Sequence, residues 1–231
     1  MKALVTGSNR GIGLELTKQL LERGWRVFAT CRNPMSAVKL NELGADYRSQ
    51  VSIIQLDVSD PTSIESSYKT IREQTDALDL LLNNAGIQLS NDQISTLKID
   101  EMEQTFLINS IGPMLVCRRY LKLLQAAASP RIVNVSSLRG SLAWYEDSRF
   151  YSYSASKAAL NMMTKRLSLE TKAYGIITIV IHPGWVKTDM GGLGAKITME
   201  ESVRGMLYVI DNLTMKDNGK FLGWDGKEVP W

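Results

Sequence analysis

Tyr153 and Lys157 stand four residues apart in a segment, 151–174, whose pattern predicts a helix. Positions i and i+4 of a helix share a face, so the phenol and the ammonium are neighbours. A free phenol ionises near pH 10. A lysine ammonium beside it favours the phenolate and lowers that value, which suits a tyrosine to exchange a proton with a substrate oxygen near neutral pH. The rival tyrosines, Tyr145 and Tyr151, have Arg149 and Ala155 four residues on. Upstream, Ser136 and Ser137 close a predicted strand, and strand ends are where sites sit in open α/β sheets.

A second chemical signature opens the chain. Gly7-Ser8-Asn9-Arg10-Gly11-Ile12-Gly13 joins the first predicted strand to the first helix. Glycines there permit a tight turn and close approach of backbone to a pyrophosphate, and the helix start offers free N–H groups and a positive dipole end. The spacing is Gly-x-x-x-Gly-x-Gly rather than the general Gly-x-Gly-x-x-Gly fingerprint. The second predicted strand ends Ala29-Thr30-Cys31-Arg32, with no acid to grip an adenosine ribose and select NAD. Arg10 and Arg32 are instead matched to a 2′-phosphate, so NADP(H) is the expected cofactor.

The elements that must position these groups alternate. Short apolar runs at 3–6, 26–30, 51–56, 78–82, 131–135, 176–181 and 220–222 read as strands. Amphipathic stretches at 11–23, 36–43, 61–73, 100–127, 151–174 and 199–213 read as helices. Strands without polar alternation suit a parallel sheet covered on both faces. The alternation throughout predicts one α/β domain over residues 1–231, a Rossmann-type doubly wound parallel sheet. No repeat, linker or low-complexity segment interrupts it.

Composition bounds the rest. Hydrophobic residues make up 44% of 231, enough for a sizeable core, and the net charge of +3 is spread along the chain rather than gathered into the basic stripe of a nucleic-acid binder. The two cysteines, Cys31 and Cys117, are far apart, and the single histidine, His182, cannot form a histidine metal cluster. His182 precedes a proline and is expected to be structural. The apolar runs are too short to span a bilayer and no signal peptide is visible, so a soluble, cytoplasmic protein is expected.

The glycine loop, Asn83-Asn84-Ala85-Gly86, Tyr153-Ser154-Ala155-Ser156-Lys157 and Pro183-Gly184 occur in the order of the short-chain dehydrogenase/reductase family, which nearly the whole chain resembles. The segment 182–190 and the ending Gly223-Trp224-Asp225-Gly226-Lys227 resemble its carbonyl reductase and Sniffer/C-factor-like branch. The resemblance implies about seven strands with helices on both faces. It implies that Ser137, with Ser136 as rival, polarises a substrate carbonyl, that Lys157 also binds the nicotinamide ribose, and that Asn109 holds a relay water. It places Asp57 and Val58 at the adenine, Asn83, Ala85 and Gly86 along the cofactor, Pro183, Gly184 and Val186 at the nicotinamide, and Thr188 at its carboxamide or the phosphates.

The expected reaction reduces a small-molecule carbonyl (aldehyde, ketone or quinone) with NADPH. The alternative is an NADP(H)-binding signalling protein of C-factor type. Trp144, Tyr145, Phe150, Trp185 and Met190 would wall an apolar substrate site, and 189–196 would form a small lid. By the same resemblance a homodimer, or a tetramer, forms through the helices at 100–127 and 151–174, the latter offering Leu160, Met162, Met163, Leu167 and Leu169. The cofactor reading yields a direct expectation: NADP(H) binds more tightly than NAD(H) in equilibrium titrations, and comparable affinities would contradict the roles given to Arg10 and Arg32.

Overall fold

The computed structural model describes residues 1–143, 148–192 and 194–231. Trp144 and Tyr145, expected to wall the substrate site, lie outside them, as does Leu193 of the expected lid. Seven strands form one parallel sheet: β1 (Lys2–Thr6), β2 (Arg26–Cys31), β3 (Val51–Gln55), β4 (Leu80–Asn83), β5 (Arg131–Val135), β6 (Ile177–His182) and β7 (Phe221–Gly223). Their order is β3-β2-β1-β4-β5-β6-β7. The chain winds outward from β1 in one direction, then returns to β1 and winds in the other, which is the doubly wound arrangement expected.

Strand side chains alternate between two cores. Ala3, Val5, Leu80, Leu82, Val133 and Ile179 face α1 (Gly11–Glu22), α2 (Val38–Asp46) and α7 (Met199–Asp211). Leu4, Phe28, Leu81 and Ile132 face α3 (Pro61–Arg72) and α5 (Gly112–Gln125). α6 (Tyr151–Thr171) packs on β6 and on the short 3-10 turn Leu138–Gly140 that follows β5. Burial on both faces explains why the strands are apolar without a polar alternation.

Two expected helices differ. The one expected at 36–43 begins later, as α2, after a 3-10 turn at Pro34–Ser36; Ala37 between them has a non-helical ψ of 63°. The long helix expected at 100–127 is three pieces: α4 (Ile99–Phe106), a π-helical stretch Leu107–Ile111, and α5. Pro113 supplies the reason. It has no N–H to give the carbonyl four residues back, that of Asn109, and the Gly112 N–H reaches five residues back, to Leu107. Gly112 is also pressed on the turn after β3, where a Cβ would lie 2.6 Å from the Val58 carbonyl oxygen.

The sheet carries polar groups at its centre. Asn83 and Asn134 are opposite one another in β4 and β5. The Asn83 amide donates to Asn134 Oδ1 (2.7 Å) and to Cys117 Sγ (3.2 Å), and Asn134 donates to Thr164 Oγ1 (2.8 Å). An unpaired buried amide costs about 1–3 kcal/mol, so these bonds fix the side chains inward. At the end of β6, burial holds His182 down at about 4, against the weaker pull of Asp225, and its Nδ1 has no hydrogen-bond partner.

A histidine whose folded pKa is depressed contributes full stability above its unfolded pKa and loses it as pH falls toward the folded one. Unfolding free energy is therefore expected to drop between about pH 6.5 and 4, with His182→Asn flattening part of that slope in urea titrations; an unchanged slope would contradict a neutral, buried His182.

Candidate active site

β1 is flanked by β2 on one side and β4 on the other, so the crevice beyond its carboxyl end is where the winding reverses. A cavity of about 960 Å³ opens there. Its walls come from the loop after β1, the ends of β2 and β3, the turn after β4, the end of β5, the first turns of α6, and the segment after β6.

Backbone builds the first wall. Gly7 and Gly11 have φ of +71° and +57°, a region that suits glycine. A Cβ on Gly7 would lie 2.9 Å from Ala85 Cα, and one on Gly13 would overlap the Gly7 carbonyl oxygen, whereas Gly11 has open space. No side chain caps α1, so its first N–H groups, on residues that line the cavity, are left without a side-chain partner. Thr6 joins this loop to the next: its Oγ1 accepts from the Asn84 and Ala85 N–H groups, both at 3.0 Å. Asn84 donates back to the Thr6 and Gly7 carbonyls at 2.9 and 3.2 Å. Free N–H groups at the start of a helix are donors that a pyrophosphate can take.

Of the residues assigned to the cofactor, Gly7, Asn9, Arg10, Gly11, Ile12, Gly13, Arg32, Asp57, Val58, Ala85, Gly86, Tyr153, Lys157, Pro183 and Thr188 line the cavity. Ser8, Asn83, Gly184 and Val186 do not. Ser8 is fully buried and donates to the Val5 carbonyl at 3.0 Å. Asn83 points into the core as described, and its neighbour Asn84 holds the turn instead. Arg10 lines the cavity but its guanidinium pairs with Asp189 at 2.7 Å, both side chains being largely exposed. Beyond Arg32, the cavity also meets Asn33, Ser36 and Lys39, which sequence reasoning missed; a hydroxyl and a cation soon after Arg32 were the available signal.

The reactive end is drier. Tyr153, Lys157 and Ser136 line the same cavity. Lys157 is 4% exposed and its Nζ donates to the Val135 carbonyl at 2.8 Å, 5.8 Å from the centre of the Tyr153 ring. Burial alone pulls Lys157 down to about 8. Tyr153 is raised: burial pushes it up, opposed by a hydrogen bond from Ser137 and then by the charge of Arg139. Ser137 lies outside the cavity lining; its Oγ also accepts the Arg139 N–H at 3.2 Å. Ser136 Oγ is buried in the cavity wall with no partner.

Asn109 is completely buried in the π-helical stretch. Its side chain accepts from the Ile87 N–H (2.8 Å) and donates to the Ile87 carbonyl (2.9 Å) and to Ser156 Oγ (3.0 Å). Gly86 sits between the two polar groups: a Cβ there would lie 3.3 Å from Asn109 Oδ1 and 3.5 Å from Lys157 Nζ. Asp57 spends one carboxylate oxygen on the Ser59 N–H (2.9 Å) and hydroxyl (2.5 Å). Thr188 Oγ1 accepts from the Gly191 N–H at 3.0 Å, shaping the segment after β6. Of the expected substrate walls, Phe150 is buried, whereas Trp185 and Met190 are exposed.

A doubly wound sheet with a glycine cradle and a tyrosine–lysine pair in one crevice is the architecture of a nicotinamide-dependent oxidoreductase. Residues 1–196 match the model of the short chain dehydrogenase family, and the chain belongs to that family. Over its full length it superposes on the NADPH-bound carbonyl reductase from chicken fatty liver, with a TM-score of 0.94, 39% identity and 98% of that chain covered. It superposes equally on the carbonyl reductase Sniffer of D. melanogaster, with a TM-score of 0.95, 33% identity and 99% of that chain covered. An oxidoreductase of Schizosaccharomyces pombe is 36% identical over 245 residues, covering 98% of this chain and 96% of its own. The C-signal of Myxococcus xanthus is 42% identical over 157 residues, 68% of this chain and 95% of its own.

The cradle generates its own expectation. Gly13→Ala forces the loop open and costs about 1–3 kcal/mol of stability, and the displaced Gly7 carbonyl weakens NADPH binding at least tenfold; titration of the folded variant with wild-type affinity would contradict the cradle's role.

Proposed function

We propose that the chain is an NADPH-dependent carbonyl reductase acting on aldehydes, ketones or quinones: carbonyl + NADPH + H⁺ → alcohol + NADP⁺. One observation carries this reading: the Tyr153–Lys157 pair and the glycine cradle open into the same cavity. When bound, the nicotinamide supplies the hydride. Arg32, with Lys39 beside it on the same wall, neutralises the 2′-phosphate. Arg10 joins them on leaving Asp189. Tyr153 gives its proton to the oxygen of the developing alkoxide. Ser137 holds the Tyr153 hydroxyl and, with Ser136, polarises the carbonyl. Lys157 binds the ribose hydroxyls. Asn109 anchors Ile87 through its side chain, and its backbone carbonyl, deprived of a helical donor by Pro113, is the acceptor for a relay water.

The whole chain acts as one NADP(H)-binding unit in this reading, and NADPH is inferred from the basic end of the cavity and from the NADPH-bound neighbour. No helix among the described residues is long and apolar enough to cross a membrane. A homodimer through α5 and α6 is the assembly we favour: Met162 and Leu169 are exposed on α6, whereas Leu160 belongs to the core. The likeness to C-signal supports a second reading, an NADP(H)-binding signalling protein in which turnover is dispensable.

A panel of aldehydes, ketones and quinones, with NADPH oxidation followed by absorbance, separates the two. Tyr153→Phe is expected to keep NADPH binding and to lose about 10²–10⁴-fold in turnover. Near-normal turnover in that variant, or no turnover of any panel member by the unaltered chain, would overturn the reductase reading. Ser136→Ala and Ser137→Ala in the same assay rank the serines, the larger loss marking the one that polarises the carbonyl.

A further inference from the structure

α6 begins without help from its own flanking sequence. Its N-cap is Phe150, which caps nothing with its side chain, although the first N–H groups of a helix need acceptors from outside it. Phe150 is also the described non-glycine residue with a left-handed backbone (φ 65°). For a bulky side chain that state is strained and persists only where the surroundings hold it. Asp92, in the irregular segment between β4 and α4, meets both needs. Its backbone carbonyl accepts the Phe150 N–H at 2.8 Å. Its carboxylate Oδ2 accepts the Ser152 N–H at 3.0 Å and the Ser152 hydroxyl. Asp92 is 3% exposed and its Oδ1 has no partner. Among the described residues, the carboxylate is therefore given over to the start of α6.

Tyr153 follows Ser152 directly, and a second attachment lies on its other side. Ser156 Oγ donates to the Tyr153 carbonyl at 2.7 Å and accepts from Asn109 at 3.0 Å. The Ser156 carbonyl accepts the Ser110 hydroxyl at 2.7 Å. Asn109 in turn holds both the N–H and the carbonyl of Ile87. Ile87 and Asp92 belong to the same segment, and Ile87 lines the cavity beside Tyr153. That segment thus grips α6 one residue before the tyrosine, directly, and three residues after it, by way of Asn109. A carboxylate at the first attachment also matches the positive end of the helix dipole.

We propose that Asp92 is a positioning residue for proton delivery: it fixes the first turn of α6 from outside the helix and so sets where the Tyr153 hydroxyl stands in the cavity. The proposal rests on the reading of Tyr153 as proton donor. Asp92 touches neither substrate nor cofactor in this role. Its effect is geometric, because a displacement of about 1 Å in a reacting group is enough to cost about a hundredfold in rate.

The test makes Asp92→Ala, Asp92→Asn and Ser152→Ala, each in the unaltered chain and in Tyr153→Phe, and follows NADPH oxidation with a substrate that the panel shows to be turned over. D92A is expected to lose about 10–100-fold in kcat, with NADPH affinity in equilibrium titrations unchanged. D92N should recover most of that loss, since the amide oxygen can accept both Ser152 bonds and its NH2 replaces an oxygen that bonds nothing. S152A should lose less than D92A. In the Tyr153→Phe background, D92A and S152A should cost nothing further, because the group they position is already gone. A cap that only supports folding would cost the same factor in both backgrounds. Amide hydrogen exchange over residues 150–156 of the cofactor-free protein gives a readout apart from turnover: it should quicken in D92A and return toward the unaltered rate in D92N. Unaltered kcat or unaltered exchange in D92A, a D92N no better than D92A, or a full D92A loss in the Tyr153→Phe background would each overturn the proposal. If D92A does not fold, S152A decides by the same comparison of backgrounds. Near-normal turnover in Tyr153→Phe alone would instead overturn the reading beneath, so the two failures are told apart.

Discussion

The active-site end of this protein is organised around a buried ammonium. Lys157 is almost completely removed from solvent and has one hydrogen-bond partner, the Val135 carbonyl. Isolated burial of a charge is costly, and here it takes the form of a lysine held well below its ordinary value. The neighbours are chosen to fit: Gly86 and Gly140 leave room for the side chain and its backbone, and Asn109 and Ser156 form a satisfied polar floor beside it. A ligand that brings hydroxyls or negative charge to Nζ would supply what the protein withholds. A nicotinamide ribose, the ligand proposed for this position, meets that requirement.

The architecture was legible because the strands are apolar on both faces and separated by helical patterns with capping residues at expected places; Asp60 before Pro61, for example, accepts the Thr62 N–H at 2.8 Å. What could not be read was side-chain direction at the strand ends. Asn83 and Asn84 are equivalent in a motif, but the last residue of β4 must alternate into the sheet interior, where Asn134 waits, and the next residue is the one that faces the glycine loop. The broken helix was hidden for a similar reason. Residues 100–127 have a continuous amphipathic pattern, and only Pro113, set against the carbonyl of Asn109, marks where the regular hydrogen-bond ladder fails.

Electrostatics was the least legible layer. Spacing along α6 identifies Lys157 as the cation next to Tyr153, yet distance along a helix says nothing of burial or of which carbonyl an ammonium faces. Arg139 stacks on Phe150, at the foot of the same helix, because a 3-10 turn doubles back onto α6. Arg10 shows the converse: its place in the glycine loop is as expected, while its charge is shared with Asp189, a residue almost at the other end of the chain. Both cases depend on tertiary proximity that no local pattern encodes.

The π-helical stretch has a consequence for how this chain tolerates change in length. A regular helix advances about 100° per residue, and the stretch from Leu107 to Ile111 holds one residue more than the regular winding would. Removing a single residue there would let the segment relax into ordinary helix, but everything on its amino-terminal side would swing by that angle. α4 would then lose its seating on α6, and the polar floor would be carried out from under the ammonium. The extra residue is thus a phase adjuster between two helical segments that must each lie against a different partner, and the segment is intolerant of deletion although no part of it need touch a substrate.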